Sequence, residues 1–269
     1  MDVATGAFRR LLVVSTTPGL NPKVGETAQP SEAVAIERSR EALFADPELW
    51  AARQQETQGD FGRRSLNMVV AVIGIVLTAP LMVLIGTAIK LTSRGPVIFR
   101  QHRIGIDRRT HDQARSVERR DEDRGGRVFT MYKFRTMYHR KGEFQVWTRP
   151  DDPRITPVGR VLRRSRLDEL PQLFNVLKGD MNVVGPRPEQ PRIFQRLANR
   201  FGAYRNRQRV LPGITGMAQV QLPPDQNLED VRRKVDMDLA YIQKKSFWTD
   251  VKIMFSTVRV LLFPRRPKQ

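Results

Sequence analysis

The residues best suited to chemistry lie near the middle of the chain. Asp168 and Glu169 are adjacent carboxylates in residues 166–181 (RLDELPQLFNVLKGDM), a segment that predicts a short amphipathic helix. Arg187 follows 19 residues after Asp168, framed by prolines in residues 185–189 (GPRPE). The prolines restrict the backbone, and a guanidinium can bind phosphate through two hydrogen bonds. Two carboxylates, a helix N-terminus and a firmly placed cation together suit work on a phosphate-bearing substrate.

Asp168 and Arg187 each have two interpretations from sequence alone. Asp168 could simply cap a helix over 169–178, with Pro171 in its first turn. The same helix end would also keep the carboxylate ionised and gather phosphate oxygens. Asp168 could then be a ligand or a nucleophile beside a magnesium-bound diphosphate; without a cation, like charge would oppose its attack. Arg187 is either a phosphate ligand or a surface arginine in a rigid turn.

Three further cations could add positive charge to such a site. Lys133 and Arg135 share one face of a predicted strand at 127–135, where they either face the site or coat a solvated strand. Arg154 belongs to the charged turn 151–154 (DDPR), which supplies further candidate ligands although most such turns are structural. The sequence contains neither GxGxxG nor a glycine-rich phosphate loop, so Rossmann cofactor binding and Walker-type ATP hydrolysis have no support.

Composition narrows the class of protein. The 47 Lys and Arg residues outnumber the 28 Asp and Glu residues, and the formal charge of +19 predicts an anionic partner, either phospholipid, nucleotide phosphate or nucleic acid. The absence of cysteine excludes disulfides, thiolate zinc sites and cysteine nucleophiles. Three histidines argue against a multi-histidine metal site, which leaves a hard, oxygen-liganded cation.

One segment predicts contact with a membrane. Residues 65–89 carry no charge over 25 positions, and a straight helix of about 37 Å would cross a hydrocarbon core of about 30 Å. Pro80 bends such a helix, and basic residues flank it on both sides, which favours two cytoplasmic ends. A re-entrant helix broken at Pro80 satisfies both observations. A spanning helix is the second possibility, because membrane helices tolerate proline. A buried helix of a soluble domain is the third.

The remaining pattern predicts an α+β fold. A polar arm (1–62) with a helix near 32–55 precedes the membrane segment (63–94), and residues 95–269 form a catalytic domain with a polar insert at 107–126. The last predicted helix, with Trp248 near its start, either packs in the core or lies in the membrane interface. The other predicted elements are paired strands at 97–101 and 127–135, helices near 158–165, 169–178, 189–201, 227–245 and 247–263, and a turn-rich loop at 212–216.

In their order and spacing, the motifs resemble those of the bacterial sugar transferases, the monotopic phosphoglycosyl transferases that initiate surface-glycan assembly. The resemblance covers roughly residues 63–263 and is specific as a set. The matching stretches are 90–97 (KLTSRGPV), 131–137 (MYKFRTM), 152–156 (DPRIT), 167–172 (LDELPQ), 179–181 (GDM), 185–189 (GPRPE) and 212–216 (PGITG).

The resemblance implies a fold and a reaction. A re-entrant helix broken at Pro80 would precede a small, mostly helical catalytic domain with a short β-hairpin and interfacial helices, on the cytoplasmic face of the bacterial inner membrane. Asp168 would attack the β-phosphate of a UDP-sugar, release UMP and keep the phosphosugar. Polyprenol (undecaprenyl) phosphate would then accept the phosphosugar, which initiates an exopolysaccharide or another surface glycan.

The resemblance also implies roles and partners. Asp168 and Glu169 would bind Mg²⁺, and Arg187 and Lys133 would bind or support phosphate, with Arg135 and Arg154 as further candidates. The expected partners are a UDP-sugar, polyprenol phosphate and membrane lipids, without nucleic acid; a homo-oligomer is allowed. The alternative is a catalytically inactive membrane scaffold of a glycan-assembly complex.

Three departures from the family pattern stand out. Asn67 occupies a position that is commonly acidic in the family. Residues 218–220 (AQV) lead into QLPP rather than Asn-Gly-Arg, which puts donor contacts at that loop in doubt and suggests a different sugar. The insert at 107–126 is longer than the usual hairpin.

Overall fold

A computed structural model of the protein describes residues 61–107, 126–138, 152–223 and 227–263. The predicted helix near 32–55 and nearly all of the polar insert lie outside these described residues. The helices are α1 (Phe61–Thr92), α2 (Pro157–Ser165), α3 (Gln172–Lys178), α4 (Pro191–Arg200), α5 (Met217–Gln221), α6 (Leu228–Lys244) and α7 (Phe247–Leu262), with 3-10 segments at Leu167–Glu169 and Gly202–Arg209. The strands are β1 (Ile98–Ile104), β2 (Val128–Phe134), β3 (Asn182–Val184) and β4 (Gly213–Thr215).

The uncharged segment forms a single helix, α1. Within the described ranges it is the one helix long and apolar enough to cross a membrane, judged by length and composition. No residue of 72–84 is buried, which argues against a core helix of a soluble domain. The large apolar side chains exposed there are Val72, Ile73, Val76, Leu77, Leu81, Val83 and Leu84. This exposed apolar surface needs a nonpolar environment.

Pro80 lies inside α1 without ending it. The helical assignment runs through Pro80 to Thr92, so a complete break at the proline is not observed. Two local features nevertheless favour a bend. Pro80 has no N–H for the carbonyl four residues earlier, and the Thr78 hydroxyl donates to the Gly74 carbonyl at 2.6 Å, a bond that often bends helices.

Both ends of α1 contact the same folded domain. Near the N-terminus, the Arg63 guanidinium donates to the Asp250 carboxylate at 2.8 and 2.9 Å and to the Tyr241 hydroxyl at 2.9 Å. Near the C-terminus, Ile85 and Ile89 pack in a small apolar cluster whose other buried members are Phe134 and Leu162. One helix of 32 residues is therefore tied to one body at two places.

The predicted hairpin is confirmed. Strands β1 and β2 pair antiparallel, with Ile98 opposite Phe134 and Ile104 opposite Val128. The fully buried Asn175 of α3 fixes this hairpin to the helix. Its side-chain oxygen accepts from the Tyr132 N–H at 3.1 Å, and its amide donates to the Thr130 carbonyl at 2.7 Å.

A second, parallel strand pair was not predicted. Residues 213–215 were expected in a turn-rich loop, but they form β4, which pairs with β3 through Asn182 opposite Gly213 and Val184 opposite Thr215. The contact is tight at Gly185, where an added Cβ would lie 2.6 Å from the Leu211 carbonyl oxygen. The motifs GPRPE and PGITG therefore contact each other through their backbones. The sequence does not reveal this pairing, because the two strands are short and far apart in the chain.

Helices α2, α4, α6 and α7 match their predictions to within a few residues, α3 begins later than predicted, and α5 was not predicted. Helix α6 supplies Val231, Val235 and Leu239 to the main core. Helix α7 packs against the domain on one face, and its placement in a membrane interface stays a prediction. Asp250 and Ile253 are buried against the domain, whereas Trp248 and Phe255 are 69% and 74% exposed. A face this apolar and this exposed fits a membrane interface.

We expect Asn175→Leu to destabilise the protein. The substitution leaves the Tyr132 N–H and the Thr130 carbonyl without their side-chain partner, at a cost of about 2–4 kcal/mol in the free energy of unfolding. Urea denaturation of the purified protein in detergent measures the loss. The control Asn199→Leu changes an exposed asparagine on α4 and should stay within about 0.5 kcal/mol of the wild type. Equal stability of the two variants would contradict the locking role of Asn175.

Candidate active site

Asp168 and Glu169 lie in a 3-10 turn that precedes α3. The turn spans Leu167–Glu169, and the N-cap of α3 is Pro171, with no side-chain cap bond. The prediction that Asp168 caps the helix is therefore wrong. The backbone itself continues the turn, because Leu173 N–H donates to the carbonyl of Leu170 at 3.1 Å. The Asp168 side chain therefore does not cap the N-terminus of α3.

Glu169 brings three predicted site residues together. Its Oε1 accepts from Lys133 Nζ at 2.8 Å and from Arg187 Nη2 at 2.9 Å. Lys133 comes from β2, and Arg187 comes from the loop after β3. All three side chains are mostly buried. Three segments distant in sequence thus meet at one carboxylate oxygen.

The charges of this cluster shift one another's pKa values. Burial alone would raise the pKa of Glu169, but the charges of Arg187 and Lys133 outweigh it and lower that pKa. The Glu169 charge raises the pKa of Arg187. Burial, together with the nearby Arg187 charge, lowers the pKa of Lys133. Glu169 is therefore firmly ionised and holds two mutually repelling cations in place.

Asp168 has the opposite environment. Burial raises the pKa of its carboxyl group, and the charge of Lys133 opposes that rise. The residue is 8% exposed, and among the described residues no donor is hydrogen bonded to its carboxylate. The lone pairs of Asp168 therefore remain available, on a carboxylate more basic than an ordinary aspartate. Of the two neighbours, Asp168 suits a nucleophile and Glu169 suits an electrostatic support.

The two carboxylates also fit a hard cation, provided that other ligands come from elsewhere. Asp168 offers unbonded oxygens, and both hydrogen bonds that Glu169 accepts use Oε1, which leaves its other oxygen available. Across the described ranges, no group of three or more His, Cys, Asp or Glu side chains could hold a metal ion. Mg²⁺ is commonly bound through one or two carboxylates together with substrate phosphates, which matches this pair.

The loop that carries Arg187 is fixed through its main chain. Arg207 Nη2 donates to the Arg187 carbonyl at 3.1 Å, and Arg207 is itself paired with buried Asp238 at 2.7 Å. Arg103 Nη1 donates to the Pro188 carbonyl at 2.9 Å. These supporting arginines were not predicted, because their contacts leave no local pattern in the sequence. Arg207 is 31 residues from Asp238, and Arg103 is 85 residues from Pro188.

The structure does not bring the other two predicted cations into the cluster. Arg135 donates to the carbonyls of Ser93 and Arg94, each at 2.8 Å, at the C-terminal end of α1. Arg154 pairs with Asp152 at 2.7 Å. A phosphate-binding role for Arg135 and Arg154 stays a prediction, and their contacts here serve the chain itself.

A cation-lined pocket of about 320 Å³ opens beside Arg187. Arg166 and Lys234 line it together with Arg187, and α5 contributes Gln219. Arg166 has φ 58°, a left-handed conformation that ends α2 and turns the chain into Leu167–Glu169. Arg166 lies two residues before Asp168, and this proximity could have identified it from the sequence. Lys234, on α6, has no such local signal.

Asn67, which departs from the family pattern, has a structural role here. It is 1% exposed, its amide donates to the Arg63 carbonyl at 2.6 Å, and its oxygen accepts from the Val183 N–H at 2.6 Å. An ionised carboxylate could accept from Val183 but could not donate to Arg63. The asparagine therefore joins α1 to β3 with both of its polar atoms.

Comparison with known proteins identifies the family to which the chain is similar. The bacterial sugar transferase family matches residues 58–264. The chain is 40% identical over 203 residues to the UDP-N-acetylgalactosamine-undecaprenyl-phosphate N-acetylgalactosaminephosphotransferase of Aeromonas hydrophila, covering 75% of this chain and 44% of that protein. It is 39% identical over 210 residues to the undecaprenyl-phosphate glucose phosphotransferase of Komagataeibacter xylinus, covering 76% and 36%.

A third relative is closer in length. The UDP-glucose:undecaprenyl-phosphate glucose-1-phosphate transferase of Caulobacter vibrioides is 39% identical over 206 residues, covering 76% of this chain and 70% of that protein. The chain spans less than half the length of the Aeromonas and Komagataeibacter relatives. The match to the family covers well over half of this chain, including the Asp168–Glu169 turn and the Arg187 loop, so this protein belongs to the bacterial sugar transferase family.

Proposed function

We propose that this protein is a phosphoglycosyl transferase that moves a sugar-1-phosphate from a UDP-sugar to polyprenol phosphate. The observation that carries the proposal is the pair of contrasting carboxylates, with unbonded Asp168 beside Glu169 and its two cations. Relatives named as undecaprenyl-phosphate sugar phosphotransferases support the substrate classes.

The reaction proceeds in two displacements at one phosphorus atom. An oxygen of Asp168 attacks the β-phosphorus of the donor, a bond to Asp168 forms, and the bond to the bridging oxygen breaks with its electron pair leaving on UMP. An oxygen of polyprenol phosphate then attacks the same phosphorus and forms a diphosphate while the Asp168 carboxylate leaves. The product is a polyprenyl-diphosphate sugar, the first lipid-linked sugar of a surface glycan such as an exopolysaccharide.

The cations offset the charge that would otherwise oppose this attack. Lys133 and Arg187 are preorganised by Glu169, so no reorganisation is needed when a phosphate arrives. Arg166 and Lys234 extend the positive surface into the adjoining pocket. Asp168 and the second oxygen of Glu169 would hold Mg²⁺, which supplies further neutralisation of the donor diphosphate when bound.

The contacts of α1 support a re-entrant membrane helix. A spanning helix separates its ends by about 30 Å of hydrocarbon, whereas Arg63 and Ile89 both contact the same domain. The apolar surface between them is exposed and would enter the bilayer. Basic residues at both ends favour the cytoplasmic face, and the exposed Trp248 and Phe255 of α7 would lie in the interface.

The enzyme proposal predicts that Asp168→Asn abolishes UMP release. Removing a nucleophile should lower the rate by about 10⁴-fold. The assay incubates purified protein with polyprenol phosphate, Mg²⁺ and a panel of UDP-sugars, and measures UMP. Asp230→Asn, in the first turn of α6, should retain wild-type activity. Unchanged turnover by Asp168→Asn would remove the nucleophile assignment; no UMP from wild type with any UDP-sugar would favour the inactive scaffold.

The raised pKa of Asp168 predicts a displaced acid limb in the pH profile of kcat/KM. Only the ionised carboxylate attacks, so activity is gained as the pH rises through a pKa above the ordinary value of about 3.9. The charge of Arg163 lowers this pKa. Arg163→Met should therefore move the acid limb to higher pH, and Arg164→Met, an exposed neighbour on α2, should not. A shift to lower pH, or equal profiles, would contradict this account.

The re-entrant course predicts that both ends of α1 face the same side. Because the chain has no cysteine, Phe61→Cys and Leu91→Cys are single-cysteine probes at positions 83% and 81% exposed. A membrane-impermeant maleimide should label both in inverted vesicles and neither in sealed right-side-out vesicles. Leu77→Cys, 74% exposed in the middle of α1, should be protected in both. Labelling of positions 61 and 91 in opposite vesicle types would establish a spanning helix.

A further inference from the structure

The site contains two cavities that share a wall. The cation-lined pocket of about 320 Å³ adjoins a second pocket of about 170 Å³ formed by the segment around Glu169, β4, α5 and α7. Arg166 and Gln219 line both pockets. The second pocket is mainly apolar, and its aliphatic lining residues are Leu170, Leu173, Ile214, Val220, Val260 and Leu261.

Gln219 stands in this wall with an unused side-chain amide. Its Nε2 and Oε1 are both buried, and neither has a hydrogen-bond partner among the described residues. A buried amide without partners is costly, and such a group in a folded protein calls for an explanation. The terminal torsion of glutamine is soft, so a small rotation can present a donor and an acceptor to either pocket. A ligand bound at the wall would supply the missing partners.

The two pockets suit different parts of the two substrates. Arg166, Arg187 and Lys234 suit the phosphates of a nucleotide. The apolar pocket suits a hydrocarbon chain, and Glu169 lies at its edge. It also includes Leu261 of α7, a residue that is 45% exposed. The apolar pocket therefore extends from α7 to Glu169, the residue next to Asp168 in the chain.

The transferred sugar phosphate is the one chemical group present in both half-reactions. It arrives with the nucleotide and leaves with the lipid. A residue in the wall between a nucleotide pocket and a lipid pocket can contact that group in both steps. Gln219 meets this requirement by position, and its amide can bond to sugar hydroxyls or phosphate oxygens.

We propose that Gln219 binds the transferred phosphosugar in both half-reactions, between a nucleotide subsite in the cation-lined pocket and an isoprenoid subsite in the apolar pocket. This assignment rests on the proposed transferase function. The apolar pocket is smaller than the 300–1,000 Å³ typical of small-molecule sites, so it takes only the isoprene units next to the phosphate. The rest of the lipid stays in the bilayer alongside α7.

The test measures the half-reactions separately. The first is UMP release from a UDP-sugar in a single turnover without acceptor; the second is transfer from isolated phosphosugar-enzyme to polyprenol phosphate. Gln219→Leu keeps the approximate shape of the side chain and removes the amide. Both half-reactions should slow about tenfold, since each loses at least one hydrogen bond to the ligand. The unfolding temperature should not fall, because an unpaired buried amide has been removed.

A second variant tests the division between the pockets. Val260→Phe fills the apolar pocket and should slow transfer to polyprenol phosphate at least tenfold while UMP release stays within twofold of wild type. Ile193→Phe, on α4 and outside both pocket linings, should leave both steps within twofold. Lys234→Gln, in the cation-lined pocket, should slow UMP release and spare the second step.

The outcomes separate this assignment from the function on which it rests. Wild type that releases no UMP would refute the transferase proposal itself. Active wild type with either half-reaction unchanged in Gln219→Leu would overturn the role of Gln219, as would a loss of unfolding temperature that accounts for the loss of activity. Equal slowing of both steps by Val260→Phe would overturn the isoprenoid subsite.

Discussion

The site depends on one carboxylate oxygen that holds two cations from distant parts of the chain. Lys133 and Arg187 repel each other, and Glu169 Oε1 is bonded to both. The fold must therefore fix a strand, a 3-10 turn and a loop relative to one another. Asn175 fixes β2 against α3, and Arg207 fixes the loop through a main-chain carbonyl. With Glu169 bonded to the cations, the neighbouring Asp168 carboxylate is left without a hydrogen-bond donor among the described residues.

The same constraint reaches α1. Arg63 of α1 bonds to Asp250 and Tyr241, and the Tyr241 hydroxyl is 3.3 Å from the carbonyl oxygen of Val184. Val184 ends β3, three residues before Arg187. The N-terminal end of α1 is thus joined through buried polar contacts to the strand that precedes the Arg187 loop. Under the proposed function, this link would set the depth of the site relative to the bilayer, where the phosphate of a lipid acceptor must meet it.

Much of the framework could be predicted from the sequence. The uncharged run became α1, the alternating residues at 127–135 became β2, and most helices fall within a few residues of their predicted bounds. Lys133, Glu169 and Arg187 were all named beforehand, and the structure brings them together. These successes rest on short-range signals: the spacing of apolar residues, the positions of prolines, and charged residues inside a specific series of motifs.

The remaining features depend on contacts that no local pattern encodes. Strand β4 exists only through its pairing with β3, and Arg135 contacts the end of α1 instead of joining Lys133. Gln219 gains significance only from its place between two pockets. The sequence by itself determined that the chain contains two adjacent carboxylates, an arginine between two prolines and a candidate re-entrant helix. Which carboxylate is held by cations and which is left unbonded was decided by tertiary structure, because those cations lie 36 and 18 residues away from Glu169.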